Sequence, residues 1–307
     1  MEKCRPQISV CIITYNQSAT ISCALDSVLS QNTTVPYEVI VSDDASTDGS
    51  QQVIAAYKNA YPDIIHPIFN SCNYGTAKNL LDIALPSCRG DYIATLEGDD
   101  YWVDNKKLEK QYCAMRSNDR ASLCYTDYYK NSKSGEDYIR SGRYKVNDPG
   151  LDILKGRTPH LSNWLFRREA LRTRMPEQMY SILNIDLLLA YMLALQGELV
   201  YIDEPTSVYQ VTGSGVYSSL DETARIKSRM NSYLKIIEMG ITRSHRRAVI
   251  RKLGDFIPIL GANKKHIVSL ATIKELLSHD FANMDYALAR YVIRLLRNRS
   301  SATQLCL

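Results

Sequence analysis

The sequence YEVIVSDDASTDGS (37–50) carries the clearest structural signal in this chain. Its first six residues are mostly apolar and β-branched, as expected of a strand that is buried on both faces. Two acidic residues follow directly, and Ser46 or Thr47 can cap a helix that begins at about Ser50. The stretch therefore predicts a buried strand, a carboxylate-rich turn and a helix in immediate succession.

The same pattern of strand, polar turn and helix surrounds this stretch. ISVCII (8–13) predicts a buried strand, and the polar TYNQ after it leads into a helix at about 18–29. Further along, we expect a strand at 64–69, a helix at 77–85 and a strand at 91–97 that ends in GDDYW. This alternation predicts an α/β fold with a doubly wound, mostly parallel sheet, whose ligand crevice lies at the carboxyl edge of the strands.

The rest of the chain is less regular. We expect helices at 106–118 and 184–197, the latter closed by Gly197, and strands at 121–130 and within 160–171. Segment 132–150 has the composition of an exposed irregular loop, and 198–218 of two short strands around a Pro turn. The final eighty residues have a helical pattern with breaks near Gly240, Pro258–Gly261 and 278–283. We therefore divide the chain into a catalytic domain, 1–218, and a C-terminal helical region, 219–307.

Composition limits the class of protein. The chain has 307 residues, of which 45% are hydrophobic and 23% charged, as in an ordered globular protein. It contains no run of eighteen apolar residues and no secretory signal pattern, so we expect it in the cytosol. The eight Cys show no CxxC pair, which argues against a disulfide framework or a zinc site.

Charge is distributed unevenly along the chain. From Arg225 to Leu307 there are 16 Lys and Arg against 5 Asp and Glu, whereas the preceding residues carry 21 against 28. Segments 241–257 and 285–300 combine basic residues with apolar residues at helical spacing. Such helices can bind an anionic membrane surface, and the alternative is a helical subdomain with a solvated basic face. Aromatic residues are too sparse among them for a nucleic-acid partner to be favoured.

Acidic residues occur in three groups at the expected carboxyl edge. Carboxylates there can bind Mg²⁺ or Mn²⁺ together with phosphate oxygens, and a positioned carboxylate can accept a proton from an attacking hydroxyl. Gly98 is expected to let the backbone turn tightly within EGDD, and Asp186 is the candidate base. Each acid taken alone could be a turn residue or a helix cap, as an N-cap in the case of Asp186. The three groups are Asp43 and Asp44; Glu97, Asp99 and Asp100; and Asp186.

The joint order of these motifs resembles glycosyltransferase family 2, the inverting enzymes of the GT-A fold. The matching segments are ISVCIITYNQ, DSVLSQ, YEVIVSDDASTDGS, NYGTAKN and GDYIATLEGDDYW, which together cover roughly residues 7–115. Weaker matches extend the resemblance to about residue 218. The resemblance implies a GT-A domain that transfers a sugar from a nucleotide diphosphate, most often UDP in this family.

The resemblance also implies roles for the donor-site residues. Thr14, Tyr15 and Asn16 match the turn that touches the nucleotide. Asp44, with Asp43 beside it, matches the acid that hydrogen-bonds the base. Lys78 matches a basic residue that contacts the base or a phosphate.

Further roles follow for the metal and the chemistry. Asp99 matches the ligand of a divalent cation, Mn²⁺ or Mg²⁺, while Glu97 replaces the first Asp of the D-x-D motif. Asp100 would lie close to the donor sugar. Asp186 matches the catalytic base although the acid that usually precedes it is Ile here, and Thr212 stands where a His often helps to hold phosphate or metal.

The family setting implies an acceptor and a location. The resemblance predicts addition of one sugar to a lipid-diphosphate-linked glycan in bacterial O-antigen or capsule synthesis, because no Q-x-x-R-W motif of processive synthases is present. We accordingly expect peripheral attachment to the inner face of the cytoplasmic membrane. The alternatives are a sugar nucleotidyltransferase, which would need a glycine-rich basic loop in place of TYNQSAT, and an inactive nucleotide- or carbohydrate-binding homologue.

Overall fold

The computed structural model describes residues 5–132, 135–144, 147–171, 177–212, 215 and 219–262. The chain divides into two compact units, one up to Asp221 and one from Glu222 onward. Our predicted boundary at 218/219 separates a catalytic domain from a C-terminal region. The division into compact units does not test these roles, so this boundary remains a prediction. The predicted break at 278–283 and the basic segment 285–300 lie outside the described residues.

The first unit begins with the predicted parallel α/β layers. Strands β1, β2 and β3 pair in parallel, and β4 pairs in parallel with the other side of β1. Their apolar side chains meet those of the flanking helices in one core, which confirms the predicted fold class. The elements are β1 Ile8–Thr14, α1 Ile21–Leu29, β2 Tyr37–Asp43, α2 Ser50–Ala60, β3 Ile65–Phe69, α3 Thr76–Lys78, a π-helical turn Asn79–Ala84, α4 Leu85–Ser87 and β4 Tyr92–Glu97.

The second half of this unit extends the same sheet with mixed pairing. β8 lies antiparallel between β4 and β6, β6 pairs in parallel with β9, and β5 pairs antiparallel with the end of β9. The strand order is therefore β3-β2-β1-β4-β8-β6-β9-β5. The elements are β5 Tyr101–Trp102, α5 Lys107–Arg116, β6 Ala121–Ser132, β7 Gly135–Ile139, α6 Pro149–Leu154, β8 Leu165–Arg167, α7 Ile185–Gln196 and β9 Glu198–Gln210, with short 3₁₀ turns at Leu161–Asn163, Arg168–Leu171 and Glu177–Ser181.

Two predictions for this half were wrong. The irregular structure predicted for 132–150 was wrong over Gly135–Ile139, where β7 forms a hairpin with β6 and Tyr129 pairs with Tyr138, whereas the predicted exposure of this stretch was confirmed. The Tyr138 hydroxyl donates a hydrogen bond to buried Asp127, at 2.6 Å, and so fastens the hairpin to the sheet. Residues 198–210 form one strand rather than two, because Pro205 falls at a register shift in the pairing with β6.

Gly197 ends α7, as predicted, and does so without a left-handed conformation. Its φ of 177° is ordinary extended backbone. A Cβ at this position would meet the carbonyl oxygen of Arg120 at 2.3 Å. The glycine is therefore required by the close approach of two chain segments.

The second unit contains α8 Glu222–Glu238 and α9 Arg243–Ala262. The break at Gly240, whose φ is 75°, was predicted. The predicted break at Pro258 was wrong, because α9 continues through it to Ala262. Within the described residues, neither this unit nor the first contains a helix long and apolar enough to span a bilayer.

Candidate active site

The sheet brings the acidic segments to one edge. β1, β2 and β4 run in parallel and in register, with Thr14 paired to Asp43 and Ile13 paired to Glu97. Parallel strands present their carboxyl ends together, so the turns that follow them line a common crevice. This places the segments after Thr14, Asp43 and Glu97 side by side, as predicted.

The turn after β1 is fastened to the turn after β2. The backbone N–H of Asn16 donates to Ser46 Oγ at 2.8 Å, and its side-chain oxygen accepts from the Thr47 N–H at 2.8 Å. Asn16 adopts a φ of 52°, a left-handed conformation that Asn tolerates better than most residues. Tyr15 is thereby left 38% exposed at the crevice.

Asp43 and Asp44 differ in how fully their oxygens are used. Asp44 accepts from the N–H groups of Tyr74 and Gly75, at 2.9 and 2.8 Å, and from the Asn70 amide at 3.0 Å. Its carboxylate therefore holds the loop before α3. Asp43 is fully buried, and among the described residues its Oδ2 has no hydrogen-bond partner. A buried acceptor without a partner costs free energy unless a ligand supplies the donor.

Gly98 packs against the turn after β1. A Cβ there would meet Gln17 Oε1 at 2.6 Å, Thr14 Oγ1 at 2.8 Å and Thr14 Cβ at 2.9 Å. The backbone turns tightly here, as expected, because the N–H of Asp100 donates to the carbonyl oxygen of Glu97 at 3.0 Å. The φ of Gly98 does not lie in the left-handed region, so the requirement for glycine comes from the close approach. The contact sets the position of the EGDD turn relative to the proposed nucleotide turn.

Asp100 is buried and fully hydrogen-bonded. Its Oδ1 accepts from the N–H of Gln210 at 3.0 Å. Its Oδ2 accepts from Ser162 Oγ at 2.5 Å and lies 2.7 Å from His160 Nε2. The rings of Tyr128 and Tyr209 pack on the imidazole, with centroid distances of 5.0 and 4.7 Å.

The electrostatics show that negative charge is concentrated here. Burial and then the charge of Asp100 raise the pKa of Glu97 to about 8 and the pKa of Asp99 to about 6. Burial acts to lower the pKa of His160, but the charge and hydrogen bond of Asp100 outweigh it and raise that pKa to about 9. Within the described residues, the one ion pair made by Glu97, Asp99 or Asp100 is the pair of Asp100 with His160.

Asp186 lies in the same neighbourhood. It occupies the first turn of α7, whose N-cap is Asn184, so the alternative reading of Asp186 as an N-cap was wrong. After burial and the charge of Asp100, the charge of Asp186 is a further cause of the raised pKa of Glu97. It also contributes to the raised pKa of Tyr128, after burial. The structure therefore brings the acid of α7 to the acids that follow β4.

Lys78 lies at the start of the helical segment beyond β3. Its Nζ pairs with Asp82 at 3.0 Å and lies 4.9 Å from the ring centroid of Tyr180, whose hydroxyl also donates to Asp82. These contacts connect the helix that carries Lys78 to the segment that precedes α7. Tyr180 and Asp82 were not predicted from the sequence.

Three side chains have an arrangement that fits a cation. One ligand atom each from Glu97, Asp100 and His160 lies within 4.8 Å of the others. Two carboxylates and an imidazole form a donor set suited to a divalent transition metal. The sequence did not predict His160, because a single His between Pro159 and Leu161 shows no metal-ligand spacing.

Comparison with protein families agrees with this geometry. The sequence profile described as glycosyl transferase family 2 matches residues 9–175, more than half of the chain. An uncharacterised protein of Mycobacterium tuberculosis is 33% identical over 217 residues, which cover 69% of this chain and 61% of that protein. This chain thus matches about three-fifths of the length of that relative. The Escherichia coli protein WfaP, named a UDP-Glc:α-D-GlcNAc-diphosphoundecaprenol β-1,3-glucosyltransferase, is 35% identical over 122 residues, covering 40% of this chain and 46% of WfaP.

Solved structures share the fold. Staphylococcus aureus TarS 1–349, in complex with UDP-GlcNAc, aligns with a TM-score of 0.57 at 18% identity over 82% of this chain and 80% of that one. The mannosyltransferase PcManGT of Pyrobaculum calidifontis, in complex with GDP-Man and Mn²⁺, aligns with a TM-score of 0.60 at 18% identity over 95% and 86%. At this level of identity, the similarity shows the GT-A fold.

Proposed function

Because the chain belongs to glycosyl transferase family 2, we propose that it transfers one sugar from a nucleotide diphosphate, with UDP as the nucleotide, to a hydroxyl group with inversion at the anomeric carbon. The observation that carries this proposal is the group of acids after β4, in which Asp100 is buried and the partly buried Glu97 and Asp99 have raised pKa values and no Lys or Arg partner among the described residues. Such a site is unfavourable until a cation enters it.

The donor nucleotide is assigned to the turns after β1 and β2. Thr14, Tyr15 and Asn16 form one wall, with Tyr15 exposed to the crevice. The unpartnered Oδ2 of Asp43 supports this residue, rather than Asp44, as the acceptor for an N–H of the base. Lys78 is assigned to the base or a phosphate, and its contacts with Asp82 and Tyr180 orient its side chain.

Glu97, Asp100 and His160 would hold a divalent cation, Mn²⁺ or Mg²⁺; this set departs from the sequence-based expectation that Asp99 is the ligand and Asp100 lies near the donor sugar. When bound, the cation neutralises charge on the leaving diphosphate. The 3₁₀ turn with Ser162 and the strand end with Gln210 keep Asp100 in place through the hydrogen bonds described above. The Asp100 carboxylate would thus remain fixed as the donor binds.

We assign Asp186 as the general base. The acceptor oxygen forms a bond to the anomeric carbon as the bond from that carbon to the diphosphate oxygen breaks, and the acceptor proton passes to Asp186. The charge of Asp186 contributes to the raised pKa values of Glu97 and Tyr128, and this proximity to the acids after β4 supports the assignment.

The acceptor is proposed to be a lipid-diphosphate-linked glycan of bacterial O-antigen or capsule synthesis. The name of WfaP includes a diphosphoundecaprenol-linked acceptor, and the similarity to WfaP supports an acceptor of this class. An acceptor of this kind would place the enzyme on the inner face of the cytoplasmic membrane.

Helix α9 supports a peripheral membrane contact. Its Arg243, Arg247 and Arg251 are exposed at intervals of four residues and so share one face, whereas Val249 is buried and Phe256 packs on Tyr233 of α8. Since the apolar face is used inside the unit, we propose electrostatic attachment to anionic lipid rather than insertion. Sedimentation with vesicles containing phosphatidylglycerol should decrease as salt rises and in the triple Arg→Gln variant.

The activity is tested by screening nucleotide sugars, with an extract of lipid-linked acceptors, for release of nucleoside diphosphate. We expect release from one UDP-sugar in the presence of Mn²⁺, loss of release with EDTA, and recovery when Mn²⁺ is restored. Formation of a nucleotide sugar from a nucleoside triphosphate would instead establish the nucleotidyltransferase alternative. Tight UDP-sugar binding with no transfer to any acceptor would indicate an inactive homologue.

A further inference from the structure

His160 occupies an unusual position among the site residues. It belongs to the segment before β8, sixty residues from Asp100, yet its Nε2 lies 2.7 Å from Asp100 Oδ2. Its side chain is 13% exposed, while that of Asp100 is fully buried. An imidazole buried beside two carboxylates is a more specific arrangement of candidate metal ligands than a group of solvent-exposed acids.

The distances are close to those of a coordination sphere. Ligands on opposite sides of a Mg²⁺-sized cation lie about 4.2 Å apart, since each bond is about 2.1 Å long. The three ligand atoms of Glu97, Asp100 and His160 lie within 4.8 Å of one another. All three atoms would contact one ion if the widest separation contracted by a few tenths of an ångström and the 2.7 Å between His160 Nε2 and Asp100 Oδ2 widened by a similar amount.

Different contacts hold the imidazole of His160 and the carboxylate of Asp100 in place. The rings of Tyr128 and Tyr209 hold the plane of His160. Asp100 accepts from Ser162 and from the backbone of Gln210 through bonds that do not involve His160. Such outer hydrogen bonds and packing contacts preorganise metal ligands.

We propose that His160 is a nitrogen ligand of the divalent cation, completing a three-residue site with Glu97 and Asp100. The inference rests on the proposed function and specifies its metal site. An imidazole ligand favours Mn²⁺ over Mg²⁺, because Mg²⁺ selects oxygen donors. The site should accordingly discriminate between these two ions.

The direct test is electron spin-echo spectroscopy of Mn²⁺ bound to the full chain in the presence of UDP. Protein grown with ¹⁴N-histidine should show an imidazole nitrogen coupling to Mn²⁺, and ¹⁵N-histidine should change it to the ¹⁵N pattern. The His160→Gln variant should lose the coupling, and its affinity for Mn²⁺ should fall about tenfold or more. His66→Gln is the matched control, since His66 lies on β3 beside Arg89, and it should retain both properties.

A second readout is competition between ions. Mg²⁺ should displace Mn²⁺ less readily from the wild type than from His160→Gln, whose thermal unfolding is measured alongside. Mn²⁺–UDP binding in the wild type without any histidine coupling would overturn the proposal, and this result requires no variant to fold. Retention of the coupling in His160→Gln would also overturn it. In either case, metal-dependent sugar transfer by the wild type would leave the proposed function intact.

Discussion

Acidic side chains of opposite character lie near the two ends of strand β4. At its amino end, Glu38 accepts hydrogen bonds from Ser9 Oγ and from the backbone and side chain of Arg89, each at 2.7 Å. Burial alone would raise the pKa of Glu38, but the hydrogen bonds from Arg89 and Ser9 outweigh it and lower that pKa. At its carboxyl end, the pKa values of Glu97 and Asp99 are raised.

The difference separates a carboxylate that is paired within the fold from those that we propose to be functional. Glu38 is paired with the guanidinium of Arg89 and therefore needs no external cation. The acids after β4 repel one another in a buried site, so their charge favours an external cation and the phosphates bound to it. The burial of an acidic side chain therefore does not reveal its role, which depends on the groups that the side chain contacts.

The largest effect is expected at the base. Asp186→Asn keeps the shape of the side chain but removes the proton acceptor, so kcat should fall by about 10²–10⁴-fold. Affinity for UDP, measured calorimetrically, and thermal stability should change little. Wild-type kcat in this variant would show that another residue is the base.

The glycines at the two ends of β4 provide a matched pair. Gly98→Ala forces Thr14 and the turn after β1 to move, and a shift of about 1 Å can lower transfer about 10²-fold. Gly90→Ala places its Cβ 2.5 Å from the Ser9 backbone nitrogen and should reduce stability by about 1–3 kcal/mol. The folded fraction of Gly90→Ala should retain wild-type kinetic constants. Equal kinetic losses in both variants would contradict the distinction between the two ends.

Removal of the structural carboxylate should act on stability alone. Glu38→Gln leaves the buried donors around it incompletely paired, and the free energy of unfolding should fall by about 1–3 kcal/mol. Chemical denaturation measures this loss, and steady-state kinetics at a temperature where the variant is folded provide the control. A change in metal dependence would place Glu38 in the active site after all.

The smallest effect concerns a buried cation that belongs to neither end. Lys107 is fully buried, with its Nζ 2.6 Å from Gln111 Oε1 and 4.2 Å from the Trp102 ring centroid. Burial lowers its pKa to about 7. Between that value and the unfolded value of about 10.4, the unfolded chain binds the extra proton, so stability should rise with pH. Denaturation at pH 7 and pH 8 should show a rise on the order of 1 kcal/mol that Lys107→Met lacks.

The sequence predicted the parts of the fold that local patterns determine. β1, β2 and β4 are short apolar runs that end in polar motifs, and their order along the chain was sufficient to place Asp43 and Glu97 at one edge. The hairpin of β7 escaped prediction because its stability depends on Tyr138 meeting Asp127, a contact that no periodicity shows.

The site was predicted less completely than the fold. The carboxylates carry a motif, so their positions could be inferred from spacing. The partner of His160 is Asp100, sixty residues away along the chain. The Oδ2 atom of Asp43 is left without a partner, whereas Ser46 and Gln51 both donate to its Oδ1 atom. These contacts form only in the tertiary structure, so they cannot be inferred from a single sequence.

The central claim is that the acids after β4 bind a cation together with a nucleotide diphosphate. Isothermal titration of UDP into the metal-free protein, with and without Mn²⁺, tests it most directly. We predict that UDP binding requires Mn²⁺, is lost in Asp100→Asn and persists in Glu38→Gln. UDP binding of equal strength in EDTA, or no binding under either condition, would contradict the claim.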